Sequence, residues 1–290
     1  MNNSKSEKNP RYPNTPIPLY VPNLLCYMRI ILSFASIYFA SIIHNSDRPL
    51  LYILLTAFAL ILAAALDHID GKIARYYNQC SSLGVLLDII ADNILRGCSW
   101  IVCIIASISQ SIKRNDSSDL PFIVPMIAVA FISIEWMTMF STQMLTLQRD
   151  KSHWKELPKS TDKESGRTCT ASEKSPLHNE EMGEIRNQKK APTSVTTTPW
   201  LIEQIFRNNF CNVLGVVTIY GSMAGGINYF LHLERDPLLE TFPWLEFILN
   251  ASVVIACVGR LLALYAEAWF CFDYFRFIVG QDVEKKTDEE

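Results

Sequence analysis

The chain has 290 residues, of which 49% are hydrophobic and 19% charged, and its formal net charge is −3 at pH 7. Without an excess of positive charge it lacks the field that attracts nucleic acid, so we exclude nucleic acid as a partner. Its eight cysteines include no C-x-x-C pair and lie mostly in apolar segments, so we expect free thiols rather than a zinc site or a disulfide framework.

The first half of the chain contains four long apolar segments behind a polar tail, residues 1–19, which we predict to be disordered and cytosolic. A helix of about 20 apolar residues crosses the hydrocarbon of a bilayer. The segments that meet this requirement are 20–43, 50–66, 84–108 and 121–145. They predict transmembrane helices 1–4 within residues 20–148.

The second half begins with a polar insertion, residues 149–199, that is rich in charge and has no hydrophobic periodicity. We predict a disordered cytosolic linker there. Two further apolar segments, 210–231 and 245–272, place transmembrane helices 5 and 6 within 200–279, and a disordered cytosolic tail is expected over 280–290. The predicted fold class is therefore all-α, a polytopic integral membrane protein with about six transmembrane helices.

The distribution of Lys and Arg predicts the orientation, because short cytosolic loops carry an excess of these residues. With the N-terminus in the cytosol, most of the loop cations fall inside. The outer loops hold only Arg48, Lys113, Arg114 and Arg235. Both termini and the inner ends of helices 2 and 3 are therefore expected to face the cytosol.

Four aspartates interrupt the apolar sequence between helices 2 and 3. Asp67 and Asp70 are three residues apart, and Asp88 and Asp92 are four apart, so each pair lies on one face of its helix. Two helices joined by about ten residues are normally antiparallel neighbours. We therefore expect the two pairs to face each other at the cytosolic rim of helices 2 and 3.

Four carboxylates so close together need positive charge to neutralise them. The candidates in the sequence are Lys72, Arg75 and Arg96, and the alternative is a divalent metal. Ligation by carboxylate oxygens alone favours hard cations, so Mg²⁺ or Mn²⁺ is expected before zinc. Two ions would suit four carboxylates and would clamp a phosphoryl group between its attacking and leaving oxygens.

Small residues flank the acids on both helices. Gly71 and Ala74 leave one flank of helix 2 bare, and Gly84 does the same for helix 3, so a polyanion could approach the backbone there. Arg75 offers a planar fork for phosphate or carboxylate. The glycines can equally be explained by close packing between membrane helices.

The acids and glycines together form a long gapped motif. Residues 67–92 read D-x-x-D-G-x-x-A-R, then eight residues, then G-x-x-x-D-x-x-x-D. This resembles the complete signature of the CDP-alcohol phosphatidyltransferase family. The flanking segments YVPNLLCYMRI and ARYYNQCSSLGVLLDIIAD are most similar to the eukaryotic members of that family that use inositol, and LQRDKSHWKE extends the similarity.

The resemblance implies a six-helix membrane enzyme of phospholipid biosynthesis, expected in the endoplasmic reticulum. Such an enzyme transfers the phosphatidyl group of CDP-diacylglycerol to an alcohol and releases CMP. The implied ligands of two Mg²⁺ or Mn²⁺ ions are Asp67, Asp70, Asp88 and Asp92. The last of these would also act as the general base on the acceptor hydroxyl.

The resemblance also implies substrate-binding residues. Gly71, Ala74 and Arg75 would line the site for the cytidine diphosphate, next to the flank at Gly84. Arg29, the only charge of the first span, would line the same cavity, although an ion pair with an aspartate or snorkelling to the surface explains it as well.

The acceptor is less constrained than the chemistry. Myo-inositol leads, but Asn93 follows Asp92 where inositol-using members commonly have arginine, and Arg96 one turn later could substitute. Glycerol phosphate, phosphatidylglycerol, serine, choline and ethanolamine stay open. An ion-coupled transporter and an inactive scaffold are the alternatives from other classes. The acids cluster at one rim and no second half repeats them, which disfavours a transporter.

Two features of the last two spans complete the predictions. Small residues in YGSMAGGINYF (220–230) predict close helix contact, either within the chain or in a homodimer. Arg260 and Glu267, seven residues apart on one helix face, either contact a polyol head group or form an internal pair.

Overall fold

The computed structural model describes residues 16–114, 120–148 and 198–289, and these residues form helices without any β-strand. The helices are α1 (Val21–Ile42), α2 (Pro49–Tyr76), α3 (Ser82–Arg114), α4 (Leu120–Gln148), α5 (Trp200–Phe206), α6 (Val213–Leu233), α7 (Arg235–Thr241) and α8 (Leu245–Glu289). The predictions for 1–15 and for 149–197 lie outside the described residues.

Within the described residues, six helices, α1 to α4, α6 and α8, are long and apolar enough to cross a membrane. This confirms the prediction of an all-α polytopic membrane protein with six transmembrane helices. Many large hydrophobic side chains point outward, as lipid contact requires. Examples are Ile31, Phe34, Phe58, Met126 and Leu261. The bundle therefore buries polar groups together with an apolar core, and it presents further apolar side chains to the bilayer.

Two boundaries differ from the sequence-based expectation. The predicted disordered tail is wrong for 280–289, because α8 continues through it; after Gly280 these residues include no further glycine and no proline to end the helix. Helix α2 also runs past residue 66 to Tyr76, so that the linker to α3 is residues 77–81 alone. Asp67 and Asp70 therefore lie on α2, as their helical spacing predicts.

The expectation that α2 and α3 are direct neighbours is corrected by the packing. Helix α1 packs along both of them, whereas α2 and α3 contact each other little. Small polar side chains allow this close approach, since Ser33 and Ser36 of α1 are completely buried and donate hydrogen bonds to the backbone of α1 itself. The acids of α2 and α3 therefore come together beside α1, which packs on both helices, and not at a direct interface between α2 and α3.

Helix α3 is central and also packs on α4 and α6, while α8 covers α6 and α4. The backbones of α6 and α8 come into contact at Gly221 and Gly259, where a Cβ on either residue would collide with the other helix. Gly226 lies in the same way against Ser99 of α3. These small residues therefore pack within one chain, and the homodimer stays a prediction.

Candidate active site

The four aspartates of the motif converge on one guanidinium group, that of Arg29 on α1. Its Nη1 lies 3.0 Å from Asp70 Oδ2 and 2.9 Å from Asp88 Oδ1. Its Nη2 lies 2.9 Å from Asp67 Oδ1 and also contacts Asp92 Oδ1. Each terminal nitrogen thus joins one acid of α2 to one acid of α3.

The site is closed at its base and open on one side. The Arg29 side chain is completely buried, and the Asp70 side chain is only 8% exposed. Asp67 and Asp92 are about a quarter exposed, while Asp88 reaches 45%. A ligand would therefore enter from the Asp88 side, and it would meet four carboxylates balanced by a single guanidinium.

The cations that the sequence offered for these acids lie elsewhere. Lys72 and Arg75 are exposed and, in the described part of the chain, form no ion pair with the aspartates. Arg96 points away along α3, where it donates to Asn93 Oδ1 at 2.6 Å and to Ser222 Oγ at 3.1 Å. The neutralising residue is thus Arg29, for which the sequence offered an ion pair with an aspartate as an alternative to lining the cavity.

Contacts at the start of α1 hold Arg29 in register with the acids. The Val21 backbone N–H donates to Gln79 Oε1 at 3.0 Å, and this Gln79 side chain comes from the α2–α3 linker. The Asn23 amide donates to the Ile17 carbonyl at 2.7 Å. Because the first four N–H groups of a helix lack intrahelical partners, the Gln79 contact satisfies one of them and ties the start of α1 to the α2–α3 linker. The Asn23 contact is local and joins α1 to the turn just before it.

The acids satisfy the requirements of a divalent metal site. Asp67, Asp88 and Asp92 each present an oxygen within 4.8 Å of the others, and Asp70 and Asp88 form a second group with Cys26. Carboxylate oxygens are the ligands that Mg²⁺ and Mn²⁺ prefer, and a buried thiol contributes little to such ions. The residues present therefore fit the predicted metals.

The small residues beside the acids divide into two kinds. At Gly71 a Cβ would meet only the Arg75 guanidinium, at 3.9 Å, so the flank of α2 at Gly71 and Ala74 is accessible. At Gly84 a Cβ would lie 2.9 Å from Asn23 Oδ1. The bare flank of α3 is thus filled by α1, and Gly84 permits helix packing.

A second buried polar cluster lies between α4 and α8. Arg260 donates to Glu267 at 2.8 Å and lies 3.3 Å from Glu135, and all three side chains are almost inaccessible. The sequence leaves an internal Arg260–Glu267 pair open beside contact with a polyol head group, and it misses the third member, Glu135. The available signal was that Glu135 is the only charge of the fourth span.

The sequence of the site also matches a family of known proteins. The family model described as CDP-alcohol phosphatidyltransferase matches residues 19–163, which include all four aspartates and Arg29. No solved structure matches the chain.

Three curated relatives illustrate the range of acceptors. The chain is 28% identical to CDP-diacylglycerol–inositol 3-phosphatidyltransferase 1 of Arabidopsis thaliana, over 47% of this chain and 51% of the relative. It is 35% identical to the human inositol 3-phosphatidyltransferase over 30% of this chain and 36% of the relative. It is 38% identical to the glycerol-3-phosphate 3-phosphatidyltransferase of Rickettsia bellii over 23% of this chain and 33% of the relative.

The matches span about half the length of the first of these relatives and a third of the other two. The family model, in contrast, covers half of this chain and contains the complete aspartate motif that the structure assembles around Arg29. The chain belongs to the CDP-alcohol phosphatidyltransferase family.

Proposed function

We propose that the protein is a membrane phosphatidyltransferase that transfers the phosphatidyl group of CDP-diacylglycerol to myo-inositol and releases CMP. One observation carries the proposal: the four aspartates of the family signature converge from α2 and α3 within reach of one another. The relatives named as inositol 3-phosphatidyltransferases in Arabidopsis, yeast and human support inositol as the lead acceptor.

In the proposed reaction Asp92 is the general base. It accepts the proton of the acceptor hydroxyl while that oxygen attacks the β-phosphorus of the donor, and the bond from this phosphorus to the CMP oxygen breaks. Asp67, Asp70, Asp88 and Asp92 would hold divalent metal. Such a metal neutralises charge on the diphosphate and on the transferring phosphoryl group.

The position of the site in the fold suits a lipid donor. Asp67 lies nine residues before the end of α2 at Tyr76, and Asp88 lies six residues after the start of α3 at Ser82. Acyl chains can therefore stay among the exposed apolar side chains while the head group reaches the acids. The accessible flank at Gly71 and the exposed Arg75 fork would receive the cytidine diphosphate.

The orientation proposed here places both termini and the aspartates in the cytosol, with the endoplasmic reticulum as the membrane. The excess of Lys and Arg in the inner segments supports this orientation. A cytosolic site is also where a soluble acceptor and a cytidine nucleotide would be exchanged.

Glycerol 3-phosphate is a second candidate acceptor. Relatives named for it in three Rickettsia species match the chain at 38–39% identity, although over no more than 35% of its length. In addition, Asn93 stands where inositol-using members commonly have arginine, and its amide is occupied by Ile89 and Arg96 rather than directed into the site.

The test is CMP release from CDP-diacylglycerol by purified protein in Mn²⁺ or Mg²⁺, with inositol, with glycerol 3-phosphate and with neither. We expect release that depends on inositol and is lost in Asp92→Asn. Release that depends only on glycerol 3-phosphate would keep the reaction and change the acceptor. No release with any alcohol, despite bound donor, would contradict the proposed activity.

A further inference from the structure

We propose that Arg29 is the resident counter-ion of the metal-free site, that divalent metal displaces it from the aspartates, and that the displaced guanidinium then binds the diphosphate of the donor. This inference rests on the proposed function. It adds an exchange between two cations, one supplied by the chain and one from solution.

The first observation is where the two terminal nitrogens lie. Nη1 contacts Asp70 and Asp88, and Nη2 contacts Asp67 and Asp92, so each nitrogen bridges α2 and α3. A metal ion bound by the same carboxylate oxygens would have to occupy the positions of these two nitrogens. Arg29 and metal therefore compete for ligands.

The second observation is the balance of charge. Four carboxylates surround one guanidinium, so the cluster keeps a deficit of positive charge even with Arg29 in place. A buried ionised carboxylate is costly unless it is paired. Arg29 offsets this cost where it lies, and a divalent ion, with twice the charge, can replace it.

The third observation is that Arg29 is not fully satisfied where it lies. Its Nε is buried and has no hydrogen-bond partner among the described residues, although the other two nitrogens are crowded with acceptors. Arginine is suited to bind phosphate through a planar fork. A donor diphosphate beside the metal would supply acceptors for the whole guanidinium group.

The fourth observation concerns the path. Arg29 projects from α1, and its neighbour toward the exterior is Asp88, the most exposed acid of the four at 45%. A movement of the guanidinium toward Asp88 carries it to the open side of the site, where the donor enters. Since the start of α1 is tied to the α2–α3 linker at Val21, the side chain can move while the helix stays in place.

The experiment measures Mn²⁺ binding directly, by the loss of the free-ion EPR signal, in the full-length protein in detergent. Arg29→Met should bind Mn²⁺ about tenfold more tightly than the wild type, because no internal cation competes for the aspartates. Arg29→Lys, which keeps the charge but loses the fork, should lie between the two. Arg235→Met, which removes an exposed arginine of α7, is the control and should leave the Mn²⁺ affinity unchanged.

If Arg29 only positions the aspartates, Arg29→Met will bind Mn²⁺ equally or more weakly, and the exchange is wrong while the proposed transferase stands. If neither the wild type nor the variant binds Mn²⁺, the metal site of the proposed function fails, and this inference fails with it. The two failures are therefore distinguishable without an activity assay.

A measurement on the wild type covers the case in which Arg29→Met does not fold. Modification of Arg29 by phenylglyoxal, located by mass spectrometry, should be slow in EDTA because the side chain is completely buried. Mn²⁺ should accelerate it by about fivefold or more by releasing the guanidinium, and CDP-diacylglycerol should then protect it. A rate that Mn²⁺ leaves unchanged would overturn the proposal.

Discussion

Arg260 of α8 and Glu135 of α4 form an ion pair inside the transmembrane bundle, with Arg260 Nη2 at 3.3 Å from Glu135 Oε1. Glu267 lies seven residues, about two helical turns, further along α8 and accepts a hydrogen bond from Arg260 at 2.8 Å. The Arg260 guanidinium also lies 4.5 Å from the centre of the Phe131 ring. The cluster therefore joins α4 to α8 in the part of the bundle that does not carry the aspartates.

Removing the positive charge of this cluster should be far worse than removing the whole cluster. Arg260→Met leaves two buried carboxylates unpaired and should lower stability by about 3–5 kcal/mol. The triple variant Arg260→Met, Glu135→Gln, Glu267→Gln leaves no charge in this cluster and should recover most of that loss. Unfolding in detergent micelles, followed by tryptophan fluorescence, measures both. Equal losses in the single and triple variants would mean that the three residues do not act as an ion cluster.

The glycine contact between α6 and α8 gives a second test of the packing. Gly221→Ala would place a Cβ in the backbone of α8 at Gly259 and Arg260, which cannot yield as a flexible side chain would. We expect a loss of about 1–3 kcal/mol. The matched control is Gly97→Ala on α3, where no atom lies within 4 Å of the added Cβ, and which should be neutral or slightly stabilising. Comparable losses at both positions would contradict the close crossing of α6 and α8.

Metal removal tests the aspartate site itself. EDTA should abolish CMP release, and added Mn²⁺ or Mg²⁺ should restore it, because in the proposed reaction the carboxylates would hold the ions that stabilise the transferring phosphoryl group. Asp67→Asn should raise the Mn²⁺ concentration needed for half-maximal activity by about tenfold or more. The control is Asp236→Asn, which changes an acid of α7 whose side chain is 69% exposed and should leave the Mn²⁺ concentration for half-maximal activity unchanged. Full activity in EDTA would exclude a metal-dependent reaction.

The number of transmembrane helices could be predicted because each span is a continuous segment of mostly apolar residues, which can be recognised without knowledge of the rest of the fold. The arrangement of the four aspartates could be predicted for the same reason, because their spacing places each pair on one face of its own helix. The relation between the helices could not be predicted in this way. A short linker between α2 and α3 favours direct contact, but the buried serines of α1 allow α1 to pack along both helices.

The roles of the lone charges show the same limit. Arg29 and Glu135 are each the only charge in an apolar span, which marks them as functional or paired. For Arg29 the sequence suggests an aspartate without saying which one, and for Glu135 it suggests no partner. Arg29 pairs with residues at least 38 positions away, and Glu135 with Arg260 on a helix 125 positions later. Such partners depend on which helices become neighbours, and this is decided by the packing of the whole bundle.

Gly84 offers a test between helix packing and substrate binding, the two roles that its position in the motif allows. Gly84→Ala should reduce stability and activity together, because the added Cβ would lie 2.9 Å from Asn23 Oδ1 and push α3 from the start of α1. The double variant Gly84→Ala, Asn23→Ala creates space for the methyl group. If packing is the cause, this variant should lose about 0.5–3 kcal/mol less than the sum of the two single losses. Additive losses, with CDP-diacylglycerol binding weakened by Gly84→Ala alone, would instead place Gly84 against the donor.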